Sequence, residues 1–304
     1  MNGTTAGSAL GTVVVGVEGS SSARAAVTWA AAEAARRGRG LYLVHATDVE
    51  SHAPMLSRDE TARLERAGRE ILDQAAEAVA ARHPELTVIK ELARGAPSAA
   101  LRHVAALSGT IVVGHRGRGG FSSLLLGSVG LETVANASTP VVVVRGATEG
   151  AETGAVLAAV RDEEDLGCAR VAAREALLRK VPLRLLHVWN GVQPSGARAG
   201  PRNGAGKLAR ERTLPLPGVV DRIREEFPEL TVYADGEKSR SVPGTLVAAS
   251  CHAGLLVVGG RRASGYVGPA LGRTTLGLVQ HAHCPVELIP RHGRAQGLGH
   301  GSTS

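Results

Sequence analysis

The residues of this chain best suited to chemistry are Gly114-His115-Arg116-Gly117-Arg118-Gly119-Gly120, followed by Gly127-Ser128-Val129. Ile111-Val112-Val113 reads as a buried strand ahead of this loop, and Val129 to Ala137 reads as a helix behind it. A glycine loop that ends on a helix N-terminus presents backbone N–H groups and the positive end of the helix dipole. Both suit a polyphosphate. Gly117 permits a positive φ and close approach of the backbone to a ligand, while Ser128 adds a hydroxyl to the helix-end amides. Arg116 and Arg118 lie in the same loop, where they either neutralise phosphate charge or stay solvated.

Other chemistries find weaker support. Gly206-Lys207 is followed by Leu208 and lacks a preceding strand, so it is no Walker A loop. A G-x-S-x-G nucleophile elbow is absent, and no general base is evidently placed for water or an acceptor. A bound nucleotide is therefore expected to be held rather than consumed, with a slow ATPase, or an adenylyl- or phosphotransferase, as the enzymatic alternative and a nucleotide-free interaction module as the other. His45 and His187 end equivalent segments and read as structural residues making a hydrogen bond. His281 and His283 have ligand-like spacing without carboxylates or a cysteine pattern to complete a metal site. Cys168, Cys251 and Cys284 lack CxxC spacing and read as small buried or half-buried thiols. The run Asp162-Glu163-Glu164-Asp165 reads as favourable charge at a helix N-terminus.

The elements that must position the loop are written twice. His83-Pro84-Glu85-Leu86-Thr87-Val88 returns as Phe227-Pro228-Glu229-Leu230-Thr231-Val232. Val112-Val113-Gly114 returns as Val257-Val258-Gly259, Thr139-Pro140-Val141 as Cys284-Pro285-Val286, and Leu43-Val44-His45 as Leu185-Leu186-His187. A nearly constant offset this long marks a duplicated domain rather than a solenoid. The halves are expected at residues 10–145 and 154–291, joined by a flexible linker, with an inserted loop at 190–218 that is a poor helix former until about Lys207.

Within the first half, strands are expected at Thr12 to Val17, Leu41 to Ala46, Leu86 to Glu91, Thr110 to Gly114 and Val141 to Arg145. Helices are expected between them: from the Ser20-Ser21-Ser22 cap to Arg37, from Arg58 to Arg82, from Pro97 to Leu107 and from Val129. Val-rich strands alternating with helices predict an α/β fold with a parallel sheet covered on both faces, and ligands bind beyond the carboxyl ends of such strands. Val141 to Val144 and Val286 to Ile289 are expected at sheet edges, free to pair across a domain or chain interface.

Composition excludes several classes. The longest apolar runs, such as Val141 to Val144 and Leu255 to Val258, are strand-sized and fall short of the roughly 20 residues that span a bilayer. No basic, apolar leader precedes the Gly/Ser/Thr-rich start, so a cytoplasmic location is expected. The net charge of +7 is mostly arginine scattered along helices, and aromatic content is only 2%, which disfavours base stacking and nucleic acid. The charge reads as a solvated arginine-rich surface.

The pattern G-x2-G-x9-G-[ST] after a strand, closed by a downstream Pro-Val-Val-Val strand, resembles the ATP-binding branch of the universal stress protein family. Two copies in one chain resemble its tandem-domain, actinobacterial form. That resemblance implies two tandem doubly wound, Rossmann-like parallel sheets of five strands each, similar to adenine nucleotide alpha hydrolases and packed as an intramolecular pseudo-dimer. It also implies ATP, with Mg2+ as companion, a regulatory protein partner, and scope for a homodimer. It assigns Gly114 and Gly117 to the ribose and phosphates, Gly127, Ser128 and Val129 to the phosphates, and the rest of the loop, His115, Arg116, Arg118, Gly119 and Gly120, to the same site. Gly16 and Glu18 stand at the end of strand one, where the family carries Asp for the adenosine end, and Ala46 matches the position whose backbone meets adenine. In the second half Gly259 and Gly272 survive, but Arg262 and Arg273 replace the second glycine and the closing Ser/Thr, and Arg161-Asp162 alters the acidic site. That copy is expected to be a structural or regulatory partner that has lost ATP binding, with a different anion held by the two added arginines as the alternative.

Overall fold

Val and Ile, stiff at χ1 and suited to a pleated surface, dominate the strand segments 13–16, 110–114 and 141–144, while 155–159 is mostly alanine around Val156 and Leu157. In the computed structural model the described residues are 11–47, 57–105, 109–117, 126–145, 154–190, 215–260 and 271–290. The first half runs β1 (Val13–Gly16), α1 (Ser21–Arg37), β2 (Leu41–Thr47), α2 (Arg58–Ala80), β3 (Val88–Arg94), α3 (Pro97–Ala105), β4 (Thr110–Gly114), α4 (Ser128–Asn136) and β5 (Val141–Val144). The second runs β6 (Ala155–Ala159), α5 (Leu166–Arg179), β7 (Leu183–Asn190), α6 (Pro215–Glu226), β8 (Val232–Ser239), α7 (Val242–Ala249), β9 (Ala253–Gly259), α8 (Arg273–His281) and β10 (Val286–Ile289).

Strand order is β3-β2-β1-β4-β5-β10-β9-β6-β7-β8, so each half contributes five parallel strands in the same doubly wound order. The two edge strands expected from sequence find each other: β5 and β10 pair antiparallel, with Val143 opposite Val286, Val142 opposite Glu287 and Val141 opposite Leu288. The two five-stranded sheets thereby join into one of ten strands. Alternation of side chains then divides the core. Val14, Ile111, Val113, Val141 and Val143 share one core with Leu256, Val258, Val286 and Leu288 of the other half. On the opposite face each half keeps its own core, under α1 and α2 in one and under α5 and α6 in the other, and Trp29 packs against both.

That second face corrects the expectation that the arginines form a solvated surface. Glu33 and Arg37 on α1, and Glu175 and Arg179 on α5, are buried together where the two helices meet. Arginine can be buried here because each guanidinium fork finds carboxylates from both helices. Other arginines are exposed and paired as expected, such as Arg94 with Glu65 and Arg184 with Asp235.

Local chemistry explains the element ends. Ser20 caps α1, accepting from the Ala23 amide at 3.0 Å, and Gly38 closes that helix with φ 60°. Lys180 closes α5 in the same left-handed conformation, φ 55°, where a Cβ is unfavourable. Ser57 and Glu60 form a reciprocal capping box on α2. Of the acidic run, Asp162 accepts from the Glu164 amide in a short 3-10 turn at Glu163–Asp165, and buried Asp165 holds the Arg161 amide and guanidinium. Strand three begins and ends later than its apolar pattern predicts, because β3 follows β2 in parallel register as far as Arg94 opposite Thr47. Helix α6 starts at Pro215, inside the expected 190–218 insertion, and β7 reaches Asn190. The linker, both tails, residues 191–214, and Arg118, Gly119, Gly120 and Arg262 lie outside the described residues. Among those described, no helix is long and apolar enough to cross a membrane.

Candidate functional site

The order β3-β2-β1-β4-β5 reverses direction at β1 and β4, and in such sheets the crevice beyond the carboxyl ends at that point takes ligands. A cavity of about 460 Å³ opens there. Gly16, Val17 and Glu18 at the end of β1, Val44 to Ala46 of β2, and Val113, Gly114, Arg116 and Gly117 at the end of β4 form its floor and one wall. Pro97 and Leu101 of α3 supply an apolar wall, and Gly127 to Gly130 at the start of α4 close the far end.

At that end Gly127 is the N-cap of α4, with φ −67° and ψ 158°, and no side chain caps the helix. The first intrahelical bond runs from Leu131 to the Gly127 carbonyl, so the amides of Ser128, Val129 and Gly130 have no acceptor within the helix. The Gly127 amide itself donates to the His115 carbonyl at 3.0 Å, which closes the loop onto the helix start. Uncompensated amides plus the dipole make this end of the cavity a site for negative charge.

Two glycines play parts different from those their spacing suggests. Gly114 packs against the first turn of α1: a Cβ there would sit 2.5 Å from Ser22 Oγ and 2.8 Å from its carbonyl. Its absence of a side chain is thus a matter of strand–helix approach. Gly117 permits a positive φ but does not use it: among the described residues positive φ occurs at Gly19, Gly38, Gly95 and Lys180. A Cβ on Gly117 would meet only Glu18 Oε1, at 3.7 Å. The chain leaving β4 has no left-handed residue at 117; the Arg116 amide is held by Ser22 Oγ at 3.1 Å and Gly127 lies alongside.

Glu18 stands on the cavity wall and accepts a hydrogen bond from the Ser20 hydroxyl through Oε1. Its length, one methylene more than Asp, lays the carboxylate across to Gly117. His115 is not brought to the cavity. Its Nδ1 lies 3.1 Å from Ser22 Oγ and its ring engages the Val144 backbone. Burial first, then the charges of Arg145 and Arg116, push its pKa below the usual histidine value, so it offers no cation to a phosphate. Gly16, Glu18, Ala46, Gly114, Arg116, Gly117, Gly127, Ser128 and Val129 are brought together.

His45 lies on the cavity wall, and its Nδ1 is 2.6 Å from the Val17 carbonyl. A carbonyl only accepts, so this nitrogen carries the proton. His187 repeats the bond to Val160 at 2.8 Å, and both histidines tie strand two to the chain leaving strand one. Gly68 of α2 accommodates the His45 ring, for a Cβ there would fall 2.7 Å from His45 Cδ2. Sequence reasoning missed Ser22, Pro97 and Leu101. Their signal was the start of a helix straight after a strand, the position that faces the crevice in every βα crossover.

The second half keeps part of this arrangement. Gly272 caps α8 with φ −64° and ψ 154°, again without a side-chain cap, despite Arg273 in the next position. Where the first half has Glu18, Arg161 is bound to Asp165, with Nε 3.1 Å from Oδ2. The carboxylate on the cavity wall of the first half is thus replaced by a cation already engaged.

The sequence profile described as "Universal stress protein family" matches residues 10–145 and again 153–290. A universal stress protein of Mycobacterium tuberculosis is 31% identical over 287 residues, covering 90% of this chain and 95% of that protein. One of Mycolicibacterium smegmatis is 36% identical over 134 residues, 44% of this chain and 45% of its own length, so the match spans about half of that relative. The crystal structure of a universal stress protein from Archaeoglobus fulgidus superposes with a TM-score of 0.67 at 17% identity, covering 92% of this chain and 99% of that one, and shows the same fold.

Proposed function

The chain belongs to the universal stress protein family, matched once in each half, and from that premise we propose that the first half binds ATP and that occupancy biases conformation or partner choice in stress adaptation. The observation that carries this is the cavity at the β1/β4 crossover, with an uncapped helix start at one end and an apolar wall at the other. Its volume falls in the range of small-molecule sites. Val44, Pro97 and Leu101 suit the face of a base, with the Ala46 backbone at its edge. Glu18 is an acceptor for a sugar hydroxyl. Gly117, Arg116 and the amides of Ser128 to Gly130 suit the phosphates. Mg2+ would arrive with the triphosphate as counter-ion, since no group of three or more His, Cys, Asp or Glu among the described residues could hold a metal.

The second half, with Arg161 engaged and Arg273 at the helix start, serves in this proposal as a structural or regulatory partner. The protein then acts in the cytoplasm as a binder, one nucleotide per chain. Equilibrium dialysis of the full chain against labelled ATP, with mass spectrometry of nucleotide retained on purification, tests it. Saturable binding near one per chain supports the assignment. Absence of binding by folded protein overturns it, two per chain overturns the division between halves, and turnover lost with Gly117→Ala would make the site enzymatic.

A further inference from the structure

We propose that the seam between the halves is a proton-operated latch: with Glu287 protonated α1 and α5 close over the β5–β10 joint, and with Glu287 ionised the joint loosens. Nothing in this depends on nucleotide binding. Strand alternation fixes the geometry. Val286 and Leu288 point into the shared core, so Glu287, opposite Val142, points to the face covered by α1 and α5. It is only 1% exposed.

The charges that face it from α1 and α5 already satisfy one another. Arg37 donates to Glu33 at 2.7 Å and to Glu175 at 2.8 Å, and Arg179 donates to Glu33 at 2.6 Å and also to Glu175. Two guanidinium groups and two carboxyl groups thus close a ring, in which burial, with Glu33 adding, pushes the pKa of Glu175 up. Arg37 uses a further N–H on Thr110 Oγ1 at 2.8 Å, Arg179 lies over the Trp29 ring, and Arg36 adds a bond to Glu33 at the rim. The segments flanking Glu287 in the sheet, Val141–Val144 and Ala253–Gly259, carry no ionisable side chain. Among the described residues neither carboxylate oxygen of Glu287 has a hydrogen-bond partner.

An ionised Glu287 would therefore be a third buried carboxylate, without a hydrogen bond of its own, beside guanidinium groups whose N–H donors are given to Glu33, Glu175 and Thr110, a state that buried sites avoid by holding the proton or by opening to water. Burial, with Glu175 adding and Arg37 opposing, pushes its pKa up to about 8 from an ordinary 4.5. The folded value lies above the unfolded one, so Glu287 favours the closed seam fully below pH 4.5, and the contribution falls as pH rises through 8.

Hydrogen exchange of the full-length protein, corrected for intrinsic rates, reads this directly. Between pH 6 and 8 the opening equilibrium of the 141–144 and 286–289 amides should rise about fiftyfold, while amides of β2 and β7 do not follow. Glu287→Gln should abolish the rise. An equal rise in Glu287→Gln, or none in the wild type, overturns the latch. If that variant does not fold, difference infrared spectroscopy of the wild type against Glu287→Asp decides: a protonated carboxyl band lost between pH 7 and 9 in the wild type and displaced in Glu287→Asp supports it, and a band identical in both, or none, overturns it.

Discussion

Alanine at position 114 and alanine at position 117 should have opposite effects, although both glycines sit in one loop. At 114 the new methyl would lie 2.5–2.8 Å from the Oγ, carbonyl carbon and carbonyl oxygen of Ser22. Carbon atoms prefer roughly 3.5–4.0 Å, so β4 and α1 must part by about 1 Å. Ser22 cannot swing clear, because two of the crowded atoms are backbone in the first turn of a capped helix. Overpacking of this kind costs about 1–3 kcal/mol. Weakening the Arg116 amide bond to Ser22 adds about 0.5–1.5 kcal/mol. Gly114→Ala should thus lose about 2–4 kcal/mol in urea denaturation followed by circular dichroism. At 117 the backbone is not left-handed and the nearest atom is at an ordinary 3.7 Å, so Gly117→Ala should change stability by no more than about 0.5 kcal/mol. In the proposed binding mode its methyl would stand where phosphate approaches; loss of one charge-assisted amide contact, about 1.5–3 kcal/mol, should weaken ATP roughly 10- to 100-fold in equilibrium dialysis. Comparable destabilisation by the two variants, or a fully stable Gly114→Ala, would refute the assignment of packing to one glycine and ligand approach to the other.

Arg37→Leu leaves Glu33 and Glu175 buried with fewer partners and should destabilise the protein by about 3–5 kcal/mol in the same denaturation assay, against less than about 1 kcal/mol for the exposed pair partner Arg94→Leu. Burial raises the Glu33 pKa, but Arg179, Arg37 and Arg36 overcome it and bring it down to about 2, so its contribution is present above pH 4.5 and is lost as pH falls through 2. Urea midpoints between pH 5 and 2 should fall accordingly, and a flat profile would contradict the ring. Lys180→Gly should raise stability by about 0.5–1 kcal/mol, seen as a higher thermal midpoint, because the left-handed cap of α5 carries a Cβ that the matching Gly38 of α1 lacks.

The duplication, the strand order and the glycine loop were legible because each leaves a local signature: a repeated string, a run of valines, a Gly at a strand-to-helix turn. The pairing of Val141 to Val144 with Val286 to Ile289 could be anticipated as a contact between edges, though not which edges would meet. The buried ring was illegible for a physical reason. Glu33 and Arg37 stand four apart on a helix, the spacing of an ordinary solvent-facing pair, and nothing within α1 says that α5 will cover them. The trace that could have exposed it is the return of the same pair as Glu175 and Arg179. Gly117 shows the converse, a residue type permissive for positive φ at a position that does not need it. In sequence Ser22 reads only as part of a helix cap, and its grip on Arg116 arises from two segments far apart in sequence.

The central joint also limits what two copies of this chain can do with each other. A lone five-stranded half would present its last strand as an open row of amides and carbonyls, yet here β5 and β10 spend those rows on one another. The margins left over are β3 and β8, and they are studded with charge: Lys90, Glu91 and Arg94 on one side, Asp235, Glu237 and Lys238 on the other. Charged margins resist the addition of another strand. Fusion has placed that open row inside one chain, so among the described strands the sheet ends on both sides in margins that disfavour its further growth.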